Sequence, residues 1–322
     1  MKTIALEEHF LIPELETYLE ETFQNVNRDL AARAVPRLLD TGAGRLETMD
    51  ACGLDMAVLS IAGPGVQIEP DTALAGDLAR KANDVLAGIM AEHPARYGGL
   101  AHLAMQDPAG AADELERCVT DLNMQGAMVN GQTLGRYLDA PENEVFWERA
   151  AALRAPVYIH PGNPVSKPVC FEGHPGLWGP FWSWGVETGT HALRLVLAGV
   201  FERYPDARLI LGHMGEGLPF MMWRFDSRLP VSYHPEPPLP EPPSFYLRRN
   251  VTCTTSGVFD DVPLRCALDG LGEDNVMYSI DYPFEASNLA DEWISKADFP
   301  DRVKEKVCFR NAERILLNMT AS

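Results

Sequence analysis

Short apolar runs and longer amphipathic stretches alternate along the whole chain. The short runs, at roughly 3–9, 55–61, 97–104, 125–130, 155–160, 208–213, 249–254 and 275–281, have the length and aliphatic content of buried strands. Between them apolar residues recur at helical spacing, for example over Ala75–Glu92, Ala109–Leu122, Glu144–Leu153, Thr190–Arg203 and Asp260–Leu271. Eight strands separated by helices predict an α/β fold, a (β/α)8 TIM barrel forming one domain over 1–322. An open doubly wound sheet is the alternative, weakened because no GxGxxG ends a strand and opens a helix. Two long loops interrupt the alternation, at about 161–188 and 230–248. The first carries Trp178, Trp182 and Trp184 and follows a strand; it is expected to wall a pocket or to pack as a surface loop. The second is dense in proline.

Polar residues recur at the C-terminal ends of these runs, where a parallel barrel builds its active site. Glu7 and His9 lie two apart on the first run, so they share a face while Glu8 points the other way. His160 ends Pro156-Val157-Tyr158-Ile159, and Asp281 ends the run from Val276. Two imidazoles and two carboxylates form a ligand set for one divalent transition metal, Mn2+ or Zn2+, with a coordination position left open. Any one of them alone is more often a hydrogen-bonded structural residue. None of the six lysines ends a strand, so no lysine carbamate bridges two metals and a mononuclear centre is expected.

His213 opens His213-Met214-Gly215-Glu216-Gly217, a strand-to-helix turn that can place an imidazole and a carboxylate at the pocket mouth. Such an imidazole polarises a substrate oxygen, with Glu216 orienting it; Glu216 is alternatively a helix N-terminal charge. One turn on, Arg224 is the expected partner of a substrate carboxylate, or else of Asp226 in a structural pair. His102 and His191 read as structural.

Composition narrows the partners. Forty-six acidic against 27 basic residues give a formal charge of −19, which repels nucleic acid and anionic membranes. The N-terminus turns acidic too early for a signal peptide, and no apolar run is long enough to span a membrane. Six cysteines without a CxxC fit reduced thiols in the cytoplasm.

Leu6-Glu7-Glu8-His9-Phe10, Ile159-His160-Pro161, Leu211 to Pro219 and Ser279-Ile280-Asp281-Tyr282-Pro283-Phe284 together resemble the second amidohydrolase family. More narrowly they resemble its branch of nonoxidative aromatic acid decarboxylases. The E-x-H form at Glu7 and His9 lies nearest the γ-resorcylate type, while Gly185-Val186-Glu187-Thr188-Gly189 looks more like the carboxyvanillate type. Gly162, after His160 and Pro161, stands where several relatives carry Arg. The resemblance implies a metal-dependent barrel, a homodimer or homotetramer, with Glu7, His160 and Asp281 on the metal, His213 beside it and Arg224 on the substrate. It also implies release of carbon dioxide from an ortho-hydroxybenzoic acid, a small aromatic carboxylic acid, with Asp281 as proton donor. Two other expectations stand beside it: a mononuclear hydrolase of an amide or lactone, and a catalytically silent metal-binding barrel.

Overall fold

The alternation closes into a barrel. The computed structural model describes residues 1–24, 26–232 and 238–317. Its eight strands are all parallel and lie in chain order: β1 (Ile4–Phe10), β2 (Met56–Ile61), β3 (Tyr97–His102), β4 (Gly126–Asn130), β5 (Val157–His160), β6 (Leu209–Leu211), β7 (Val251–Thr254) and β8 (Val276–Met277). The inward layer is aliphatic but for one tyrosine: Ile4, Leu6, Val58, Leu100, Met128, Tyr158, Ile210 and Met277 lie in one buried cluster. The barrel is therefore a filled core, and only its C-terminal end offers space for chemistry.

Helices cover the outside. In Thr72–Glu92, Asp71 caps the first turn by accepting from the Ala73 and Leu74 N–H groups. Its buried positions, Ala75, Ala79, Ala82, Leu86 and Met90, recur every three or four residues and pack against the sheet. Leu86→Ala would cost about 2–5 kcal/mol by opening a cavity there. Among the described residues no helix is long and apolar enough to cross a membrane.

Five expectations need correction. The helix expected at Thr190–Arg203 is two helices, Ser183–Leu197 and Val200–Arg203, separated at Gly199 by a left-handed backbone (φ 71°). The first begins inside the 161–188 stretch and shortens that loop. The second loop also ends early, because Pro243–Asn250 is helical; residues 233–237 lie outside the described residues. The run from 275 to 281 is strand only at Val276–Met277. Beyond it the Thr255 hydroxyl takes over, accepting from the Ser279 N–H and donating to the Ser279 carbonyl, both at 2.9 Å. Likewise His213 lies two residues past β6, in a turn.

Candidate metal centre

A bulge aims the first two side chains. Ile4 and Leu6 face the barrel interior and Ala5 the outer core, so plain alternation would turn Glu7 outward and Glu8 inward. The β1–β2 register instead shifts between Ala5 and Glu8, and Glu7 takes a left-handed backbone (φ 54°). The extra residue reverses the parity. Glu7 and His9 then point into the C-terminal mouth, and Glu8 points out toward Arg45. Asp281 (φ 79°), His213 (φ 49°) and Glu216 (φ 53°) share this disfavoured conformation. Each costs about 1–3 kcal/mol, a cost that clusters at functional sites.

Glu7, His9, His160 and Asp281 each bring one donor atom to a group in which all lie within 4.8 Å of one another. His9 Nε2 is 3.3 Å from Asp281 Oδ1, and His160 Nε2 is 3.5 Å from Glu7 Oε1. Glu7 Oε1, His9 Nε2 and Asp281 Oδ1 are buried without a hydrogen-bond partner. Converging, unsatisfied nitrogen and oxygen donors of this kind fit a divalent cation.

Neighbours fix the donors. Ser60 Oγ lies 3.3 Å from His9 Nδ1, leaving Nε2 toward the centre. The Tyr158 hydroxyl donates to Glu7 Oε2 and lies 2.9 Å from Thr254 Oγ1. Burial raises the Glu7 carboxyl above its usual range, against the pull of His213. Burial, reinforced by His9, holds His160 well below 6.5, so it stays a neutral ligand. Desolvation raises Asp281 too, yet His213 and His9 bring it down to about 2.

His213 stands beside the group, its Nε2 3.9 Å from Glu7 Oε1 and 3.8 Å from Asp281 Oδ2. Burial disfavours its charge, but Glu216, Glu7 and Asp281 together carry it well above 6.5. Gly212 permits the approach, since a Cβ there would sit 2.7 Å from Glu7 Oε2.

A cavity of about 630 Å³, reached by His160 and Asp281 of the four donors, is walled by Phe23, Trp184, Val258 and Phe284 with His213 and Asp281 at its floor. The 161–188 stretch forms part of this wall, and Trp184 Nε1 donates to Asn163 Oδ1 at 2.8 Å. Arg224 is not among the lining residues. It is exposed on the helix Leu218–Arg228, one turn from Met221, which does line the cavity. Nor does it pair with Asp226, whose carboxylate binds the Ser244 N–H and hydroxyl.

A family model described as Amidohydrolase matches residues 27–317. The chain belongs to the amidohydrolase family. Glu7 and His9 precede the matched residues, so within this amidohydrolase they rest on the geometry above. A gamma-resorcylate decarboxylase of Rhizobium sp. (strain MTP-10005) is 41% identical over 321 residues, 97% of each chain. A crystal structure of 2,6-dihydroxybenzoate decarboxylase with 2,6-dihydroxybenzoate superposes with a TM-score of 0.92 at 40% identity, covering 98% of this chain and 99% of the other. A dihydroxybenzoic acid decarboxylase from Polaromonas sp. JS666, with manganese and 2-nitroresorcinol, gives 0.92 at 39% identity over 99% and 98%.

Sequence reasoning missed Ser60, Tyr158 and Thr254. Tyr158 was within reach, since it lies two residues before His160 on the same strand face. Ser60 carries no such signal; only its register opposite His9 brings it in. His102 and His191 are structural as expected, their Nε2 atoms accepting from the Val66 and Leu138 N–H groups.

Proposed function

We propose that this amidohydrolase is a metal-dependent carboxy-lyase that removes carbon dioxide, without oxidation, from an ortho-hydroxybenzoic acid of the 2,6-dihydroxybenzoate type. The observation that carries it is the four-donor group under an aromatic-walled cavity, with the His213 imidazole beside it. The decarboxylase relatives, matched along nearly their whole length, support the same reading.

Glu7, His9, His160 and Asp281 would hold the ion, Mn2+ rather than Zn2+ on the example of the Polaromonas relative. When bound, the ion supplies Lewis acidity to the ortho oxygen and carboxylate of the substrate. Direct loss of carbon dioxide would leave an aryl carbanion, so the ring carbon takes a proton first. Asp281, ionised at rest, would pass it on at the cavity floor after taking it from His213, 3.8 Å from its Oδ2. The bond to the carboxylate then breaks, its electron pair returns to the ring, and aromaticity is restored. His213, oriented by Glu216, also donates to a substrate oxygen.

No Lys or Arg lines the cavity among the described residues, while Glu216, Asp281 and Glu285 do. An anionic substrate is therefore repelled until a cation is in place. Arg224 would reach the substrate carboxylate from a neighbouring copy rather than its own. The exposed Phe181, Trp182, Phe220 and Trp223 beside the mouth support assembly as a homodimer or homotetramer through that rim. Six unpaired cysteines support a cytoplasmic setting; burial pushes Cys253 and Cys308 up to about 12, unfit as nucleophiles.

The test is a panel of hydroxybenzoates, amides and lactones offered to Mn2+-loaded protein, with and without chelator. Chelator-sensitive carbon dioxide release from an ortho-hydroxybenzoate is expected. Amide or lactone cleavage in its place would overturn the proposal.

A further inference from the structure

One buried Glu–Arg pair beside the metal centre takes no part in this chemistry. Glu8 and Arg45 are each 1% exposed. Arg45 comes from the helix Ala43–Ala51, and its Nη1 donates to the His9 carbonyl at 2.6 Å. Its Nη2 faces Glu8 Oε2 at 3.7 Å, an ion pair without a direct hydrogen bond, and its Cζ lies 3.9 Å over the Tyr282 ring. On the other side, Glu8 Oε1 accepts the Ile280 N–H at 3.0 Å. The pair thus grips Glu8–His9 on one strand end and Ile280–Tyr282 on the other. His9 and Asp281, both assigned to the metal, lie in those two segments.

The seam between them is the sparsest in the barrel. Each other neighbouring pair of strands is joined by a ladder, but β1 meets the β8 side through one isolated bridge, Leu6 with Ser279. Two backbone hydrogen bonds help, Leu6 N–H to the Tyr278 carbonyl at 3.3 Å and His9 N–H to the Tyr282 carbonyl at 2.9 Å. Burying a guanidinium and a carboxylate is costly, and an apolar pair of equal volume serves stability as well or better. One hydrogen bond of this pair falls on the ligand His9, and the other, at Ile280, and the Tyr282 ring contact fall on either side of Asp281.

We infer that Glu8 and Arg45 are positioning residues of the metal centre, fixing His9 and Asp281 relative to one another across the barrel seam. The inference rests on the metal-centre reading above. Removing the grip loosens two of the four ligands at once, whereas the ligand side chains themselves stay intact.

The experiment titrates Mn2+ into metal-free wild type, Arg45→Met, Arg45→Lys and Glu8→Gln. It follows affinity, the Mn2+ paramagnetic resonance spectrum, and melting temperature with and without metal. Arg45→Lys keeps the charge but not the two-armed guanidinium, and covers the case in which the methionine variant fails to fold. Affinity is expected to fall about 10–100-fold in Arg45→Met and about tenfold in Arg45→Lys, the range for residues that orient metal ligands. The Mn2+-induced rise in melting temperature should shrink and the spectrum change. Folded variants that melt earlier with and without metal alike, at wild-type affinity and spectrum, would overturn the positioning role alone. Wild type that binds no Mn2+ would overturn the metal centre, and this inference with it.

Discussion

His213 and Glu216 meet at 2.8 Å, Nδ1 to Oε1, across a turn in which both residues hold left-handed backbone. The contact aims His213 Nε2 between the Glu7 and Asp281 carboxylates. Glu216→Gln keeps an acceptor for Nδ1 but removes a charge that raises His213. Turnover should fall about 10–100-fold, at the low end for a perturbed general acid, with metal content unchanged. Because the raised imidazole is active when protonated, its loss of proton should move to lower pH. The alkaline limb of the kcat profile shifts down accordingly, which steady-state rates across pH will read.

Asp281→Asn removes the proposed proton donor while leaving an oxygen at the metal. Carbon dioxide release should fall by at least about 100-fold. A wild-type rate in a variant that elemental analysis finds metal-loaded would take Asp281 out of that role.

The barrel was legible because strands buried on both faces leave near-continuous apolar runs. The β1 ligands were legible because residues two apart share a face. The bulge that makes them face inward was not: nothing in Leu6-Glu7 marks a left-handed residue, and the i, i+2 reading survives because the bulge lies at Leu6 and Glu7 and regular pairing resumes from Glu8. Nor was the short β8, since Tyr278-Ser279-Ile280 reads as strand until Thr255 competes for Ser279. Arg45, inside a polar helix, looks like a solvated charge, and only the folded seam shows what it holds. Arg224 was placed by its position one turn past the glycine-rich turn and by resemblance, and its exposure on its own chain is a property of helix direction rather than of spacing.

His102 supplies a pH test away from the metal. Burial lowers its pKa from 6.5 to about 4. The unfolded chain therefore binds the extra proton first as pH falls. The stability it contributes is complete above 6.5 and is lost as pH falls toward 4, about 3 kcal/mol at 1.36 kcal/mol per unit. His102→Gln still offers an acceptor to the Val66 N–H. The wild-type advantage over this variant should shrink by that amount between pH 7 and 4 in metal-free denaturant unfolding.

Trp223→Asp places a charge on the exposed apolar rim beside Arg224. Light scattering should show a smaller assembly, and KM for the aromatic acid should rise more than kcat falls. A monomeric wild type, or an unaltered assembly and KM in the variant, would contradict the rim contact.

The most direct measurement uses 2,6-dihydroxybenzoate labelled with 13C in its carboxyl group, with metal content and labelled carbon dioxide read on the same samples of wild type and His160→Ala. Wild type should carry one Mn2+ per chain and release one labelled carbon dioxide per ring consumed, while His160→Ala loses most of both. Fully loaded wild type that releases none, or His160→Ala that keeps full metal and full rate, would contradict the account.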